Sequence, residues 1–230
     1  MEFFVQYLDL ILVPAGLLIL FTYHLYLLYR VLKYPATTVI GYENLNRMAW
    51  VEYMMQGGSN TSIALSVISS NITSTIYFAT MSLTLSSLIG TLAGNSSSFL
   101  SKNIFIVGDT SSNTVSLKYI SMLLSFMLAF GSFVQSARYY VEADFYISTP
   151  LVNMPVTYVQ RSAIRANNFW QLGLRLLYFA MAFLFWGFGP IPMFASCVIM
   201  VVLLIFLDSN SKPLHQYQSG KKKKKKVEDV

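Results

Sequence analysis

The sequence predicts an all-α protein, a helical bundle integral to a membrane, with four to five membrane segments of which the last is broken at Gly189-Pro190. Three observations predict it. Of the 230 residues, 55% are hydrophobic and only 11% charged, whereas a soluble domain carries about 25% charged residues. The apolar residues collect into runs of the length, about 20 residues, that carries a helix across the hydrocarbon core. Charged residues sit at or near the borders of those runs.

The first run, Leu10 to Tyr29, is bounded by Asp9 and Arg30. Met1 to Tyr7 holds no Lys or Arg, and the run ends in Tyr26, Leu27, Leu28 and Tyr29 without a small-residue cleavage site, so it reads as a retained anchor. In the polar stretch that follows, Glu43 to Met55 suits a short amphipathic helix. Glu43 and Arg47 pair at i, i+4, and Trp50, Tyr53 and Met54 offer surface for the headgroup layer, with Gly57 and Gly58 ending the helix.

The second run, Ile63 to Leu92, contains no charged residue. Its Ser66, Ser70, Thr73, Tyr77, Thr80, Thr84, Ser87 and Thr91 share one helical face. A polar loop, Gly94 to Ser116, leads to the third run, Tyr119 to Ala137, bracketed by Lys118 and Arg138. The connection Arg138 to Gln171 contains Pro150 and Pro155. Pro155 can open a helix, since a proline in the first turn forfeits no hydrogen bond. From there Arg161, Arg165, Asn168, Leu172 and Arg175 fall on one face leading into the last run.

That run, Leu174 to Leu207, is too long for one untilted span and too short for two full spans with a turn. Trp186-Gly187-Phe188-Gly189-Pro190-Ile191-Pro192 is where a helix breaks, because Pro190 and Pro192 lack a donor N–H and Gly189 tolerates a turn. One long kinked helix and two shortened helices joined by a turn both fit. Loops rich in Lys and Arg stay in the cytosol. Arg30, Lys33 and Arg47 lie in the first loop, Lys102 and Lys118 flank the second, and Arg138, Arg161, Arg165 and Arg175 belong to the third, which puts the first and third loops there and the N-terminus outside. A hairpin then brings Lys212 and the terminal lysines to the cytosol as well, which favours five segments. These lie at about 10–29, 63–92, 119–137, 174–188 and 191–207, within a transmembrane domain of residues 1–208. Residues 209–230 read as a disordered basic cytosolic tail, and the sequon at Asn95 falls on the outer side.

An ordered series of short matches resembles a known family. Leu8-Asp9-Leu10-Ile11-Leu12-Val13-Pro14, Tyr23-His24 with Leu27-Leu28-Tyr29-Arg30, and Thr38-Val39-Ile40-Gly41 are its first members. Asn46-Arg47 with Trp50-Val51, then Arg175-Leu176 with Tyr178-Phe179 ahead of Trp186 and Phe188-Gly189-Pro190, complete it over most of residues 8 to 208. The chain is similar to the plant and bacterial membrane proteins grouped as domain of unknown function 599 (DUF599). That resemblance implies a multi-pass membrane protein from a plant and implies no activity; the sequence leaves plasma membrane and endomembrane both open. The lysine tail and the Ser/Thr-rich second run look like departures from the family.

Function classes narrow by chemistry. The net charge of +6 is supplied by Lys221, Lys222, Lys223, Lys224, Lys225 and Lys226, so no nucleic-acid partner is expected. These six lysines are the candidate lipid-binding residues; a solvated run without a partner is the competing reading. No metal-ligand spacing, nucleophile elbow, phosphate-cradling glycine loop or intramembrane carboxylate pair occurs. The chain is therefore expected to be no enzyme and to hold no metal or cofactor. Lone Cys197 reads as a small buried hydrophobe.

Single residues remain as candidates. His24 is ionisable within a span, hence a proton-relay candidate, although the tyrosines around it suit an interfacial belt. Thr80 and Thr84, with the rest of the stripe, could line a solute path, against the simpler reading that small residues let helices pack. Arg161, Arg165 and Arg175 could receive an anion or lie among lipid phosphates. Gly189 and Pro190 mark a break of the kind transporters use for binding, although plain kinks also break at proline. The leading expectation is a structural or interaction protein whose cytosolic loops and tail meet lipid headgroups, a second copy or another membrane protein. The alternative is a small carrier or channel using the broken segment and the second helix.

Overall fold

The computed structural model describes residues 2–55, 60–94, 111–149 and 154–211. Its elements are α1 (Glu2–Lys33), a 3₁₀ turn (Pro35–Thr37), α2 (Val39–Met55), α3 (Thr61–Gly94), α4 (Ser112–Ser148), α5 (Val156–Trp186) and α6 (Pro190–Asp208). Among the described residues, all of these α-helices but α2 are long and apolar enough to cross a membrane, giving an all-helical, multi-pass membrane bundle with five candidate spans.

The break in the last run is a hairpin. Gly189 has φ 139°, a conformation that L side chains rarely adopt, and Pro190 opens α6 where its missing N–H costs no hydrogen bond. The Gly187, Phe188 and Gly189 amides donate to the Leu184, Phe185 and Trp186 carbonyls at 3.1 Å each. The reversal thus satisfies its own donors.

Helices run past the apolar limits that the sequence marks. Residues 112–116, read as loop, belong to α4, where the Ser111 side chain caps the helix by accepting from the Thr114 amide at 3.4 Å. The connection Arg138 to Gln171 is largely helical, because small residues on the extensions of α4 and α5 let them stay packed: Tyr140 and Ala143 bury against Val159, Ala163 and Ala166, with Val51 of α2 and Ile68 of α3 in the same cluster. Asn95 and Lys102, and Gly57, Gly58 and Pro150, lie outside the described residues.

α5 is the helix both halves share. One side packs with α3 and α4 through Ile89, Met122, Phe126 and Ala180, and through Ala79, Ala129 and Phe133 beside Trp170 and Leu174. The other packs with α1 and α6 through Val13, Leu20, Ala182, Trp186, Met193 and Cys197. Two close approaches hold these faces. A Cβ at Gly173 would meet the Phe133 ring at 2.7 Å, and one at Gly16 would meet Cys197 Sγ at 3.2 Å. The outer surface is apolar, with Leu10, Leu18, Leu124, Leu203 and Phe206 exposed, which suits lipid as solvent.

The bundle has two distinguishable ends. At the hairpin end lie the Gly187–Gly189 turn, Asp9 and Lys118. At the other, here the α2 end, lie the 3₁₀ turn, α2 and the end of α6. A strap ties the last two together: the Asn210 amide donates to the Thr37 carbonyl at 3.1 Å, its side-chain amide to the Ala36 carbonyl at 3.0 Å, and Thr38 pairs with Ser209 in an antiparallel bridge. Residues 209 and 210, assigned to the tail in the sequence reading, are therefore held by hydrogen bonds; Lys212 and Lys221 to Lys226 lie outside the described residues.

Candidate functional site

Among the described residues three polar clusters occupy this apolar bundle, and one of them, built on a buried carboxylate, lies just inside the α2 end. Asp208 ends α6, where its negative charge adds to the negative end of the helix dipole and requires compensation. Arg175 of α5 supplies it. Its Nη1 donates to Asp208 Oδ2 at 2.9 Å, and its Nη2 donates to Oδ1. The Tyr23 hydroxyl of α1 donates to Oδ2 at 2.6 Å. The guanidinium also lies over the Tyr178 ring, 5.5 Å from its centre. Three spans thus meet at one carboxylate that is 5% exposed.

His24, the sequence candidate, is next to this clamp and not part of it. Its Nδ1 lies 2.7 Å from the Leu20 carbonyl, and because a carbonyl only accepts, Nδ1 carries the proton. Nε2 is buried without a hydrogen-bond partner, and the ring packs against Phe179 at 5.1 Å and the edge of Tyr23 at 5.5 Å. The arrangement fits a histidine that packs between helices.

The second cluster docks α2 onto α5. Asn167, fully buried, donates from Nδ2 to Asn44 Oδ1 at 2.9 Å and accepts at Oδ1 from Arg47 at 2.9 Å. Asn44 donates to Asn168 at 2.9 Å, Gln171 to Glu43 at 3.2 Å, and Gln160 to the Met48 carbonyl at 2.9 Å. Glu43 and Arg47 do stand together at 4.0 Å, as their spacing predicts. The helix is held to protein through these side chains. Trp50, assigned to the headgroup layer from sequence, instead packs on the core, while Tyr53 is exposed.

The third cluster is at the hairpin end. The Trp186 indole donates to Asp9 Oδ1 at 2.8 Å, and the Lys118 ammonium lies 5.5 Å from the Trp186 ring centre. Both charged residues are buried.

The remaining candidates are scattered. Arg161 and Arg165 are exposed near the α2 end, whereas Arg175 has turned inward to Asp208. Thr80 and Thr84, like the rest of the Ser/Thr stripe, face away from the bundle. Their hydroxyls donate to the Ile76 and Thr80 carbonyls of their own helix at 2.9 Å each, and among the described residues only α3 lines the open surface beside them. The small residues that α3 does bury are others: Thr75, Ala79, Ser82 and Ser86. Gly189 and Pro190 are buried in the hairpin turn, apart from the stripe and from Arg175. Among the described residues no group of His, Cys, Asp and Glu could hold a metal ion.

Sequence reasoning missed Asp208, Tyr23, Asn44, Asn167 and the Asp9–Trp186 pair. One signal was available: Asp208 closes the last apolar run and Arg175 opens the preceding segment, opposite charges that a hairpin brings to the same end.

The family model described as "Protein of unknown function, DUF599" matches residues 11–213. No curated protein and no solved structure matches the chain.

Proposed function

This chain belongs to the DUF599 family, and we propose that it is a membrane-embedded structural or interaction protein whose α2 end faces the cytosol and meets anionic headgroups. The placement of its basic side chains supports this reading. Arg30, Lys33, Arg47, Arg138, Arg161, Arg165 and Arg175 gather at the α2 end, while Lys118 at the hairpin end is covered by Trp186. Lys and Arg in loops are retained in the cytosol. Asn210 is held at this same end, and the sequence that follows it carries Lys212 and Lys221 to Lys226. Each lysine near an anionic leaflet contributes about 1 kcal/mol, within a Debye length of about 8 Å at physiological salt.

Cysteine accessibility in sealed vesicles, on a background lacking Cys197, tests the orientation. A cysteine placed at Ser211 should label only after permeabilisation on the cytosolic side, and labelling from outside overturns the reading. Replacing Lys221 to Lys226 with glutamine should free a fluorescent tail from phosphatidylserine-containing bilayers, and high salt should do the same without extracting the protein. Equal tail mobility on neutral and anionic bilayers at low salt would remove the tail from the proposal.

A further inference from the structure

Two exposed guanidinium groups from neighbouring helices converge on one aromatic ring at the α2 end. Arg138 Cζ of α4 lies 6.0 Å, and Arg165 Cζ of α5 lies 5.7 Å, from the centre of the Tyr139 ring. Phe169 stacks on Tyr139, with centres 5.7 Å apart and planes 20° from parallel, so the two rings form a shelf between α4 and α5. The register is fixed next to it by Ser136, whose hydroxyl is buried and donates to the Ala166 carbonyl at 2.7 Å. That contact brings Arg165 level with Arg138. No carboxylate among the described residues comes within ion-pair range of either arginine. Glu142, one turn beyond Arg138, is engaged by the Tyr146 hydroxyl at 2.8 Å.

We propose that Arg138, Arg165 and Tyr139 form a binding site for the phosphate of an anionic phospholipid. Two like charges held beside one ring repel each other until an anion joins them, and guanidinium forks match the oxygens of a phosphate. The depth selects lipid over a soluble source. Arg138 follows directly on the apolar run ending at Ala137, which puts the pair where headgroups begin, and the Tyr139–Phe169 shelf suits the interfacial layer, where aromatic rings concentrate. Choline headgroups are disfavoured because their own cation adds to the repulsion. Arg161, one turn further from the apolar run, strengthens the field without touching the ring. The site deepens the proposed function and rests on it for the class of ligand.

Native mass spectrometry of the full chain in mild detergent, with phosphatidic acid or phosphatidylcholine of identical acyl chains added, tests the site. The parent should retain phosphatidic acid about tenfold more than phosphatidylcholine. Arg138→Gln with Arg165→Gln should lower it to the phosphatidylcholine level, Arg161→Gln should leave it within about twofold, and the two-lysine version should keep part of it. Equal retention of both lipids by the parent overturns the proposal without any variant. So does undiminished phosphatidic acid on a double-glutamine variant that elutes like the parent on size exclusion. Loss of the lipid to inorganic phosphate, and not to chloride of equal ionic strength, overturns the lipid assignment and makes this a soluble-phosphate site. Retention abolished by glutamine at Lys221 to Lys226 and untouched by the arginine changes rejects the site while leaving the proposed function intact. An orientation error would appear only in the cysteine labelling, since detergent has no sides.

Discussion

Replacing Asp208 with asparagine tests whether the carboxylate joining α1, α5 and α6 holds those spans together. The substitution keeps the shape, removes the charge, and turns an amide donor toward a cluster of donors. Arg175, whose side chain is 12% exposed, is left without its counter-charge, and Tyr23 loses a charged acceptor at 2.6 Å. Removing one partner of a buried pair costs about 3–5 kcal/mol. The weakened tyrosine bond, worth about 1.5–3 kcal/mol alone, overlaps with that figure and does not simply add. At about 2–4 °C per kcal/mol for a chain of this size, Asp208→Asn should lower the melting temperature by roughly 6–20 °C. The double variant Asp208→Asn with Arg175→Gln carries no stranded charge. It should recover about 1–3 kcal/mol relative to the sum of the singles. Differential scanning fluorimetry in one mild detergent measures all of these. A melting temperature within about 2 °C of the parent for Asp208→Asn, or a double variant that loses the full sum, would refute the clamp.

Gly173→Val should cost about 1–3 kcal/mol, because the Phe133 ring that it displaces is fully buried between Phe78 and Trp170; Gly131→Ala, where an added Cβ meets nothing within 4 Å, should not lower the melting temperature and should raise stability by up to about 1 kcal/mol, since alanine favours a helix interior over glycine. Asn167→Ala strips a hydrogen-bond partner from both Asn44 and Arg47 and should cost about 1–3 kcal/mol. Hydrogen exchange read by mass spectrometry should quicken over residues 39–55 and stay unchanged over α3. Thr80→Val and Thr84→Val, on the outward face, should shift stability by less than about 0.5 kcal/mol; a larger loss, measured in the same melting assay, would mean that this face packs against something.

The break at Gly189-Pro190 was legible because two prolines and a glycine act on the backbone itself, whatever surrounds them. Helix α5 could likewise be traced from Pro155 onward by its facing arginines. The orientation of α3 could not, and the reason lies in its solvent. In water a buried face is apolar and an exposed face polar, so the sequence carries a contrast. In lipid α3 carries small hydroxyl residues on both sides, Thr75, Ser82 and Ser86 inside and Thr80, Thr84 and Thr91 outside, and hydroxyls bonded to their own helix give no direction. Arg175 looked like one more member of a cytosolic basic face because spacing along α5 was the only guide. Its true partner is 33 residues away across the hairpin. The α2–α5 contacts were hidden for a similar reason: Asn44 and Asn167 lie 123 residues apart, and an amide has no charge to advertise a complement.

An odd number of crossings has a practical consequence for anyone attaching reporters to this chain. α1 starts at the hairpin end and α6 finishes at the α2 end, so a tag ahead of Glu2 and a tag after Asn210 occupy opposite compartments whichever way the bundle is inserted. Paired reporters at these two positions carry an internal control: in a correctly inserted population one is silent wherever the other signals. Molecules in which both respond from a single side have failed to form one of the five crossings, and the short hairpin closed by Gly189 is the first place to look.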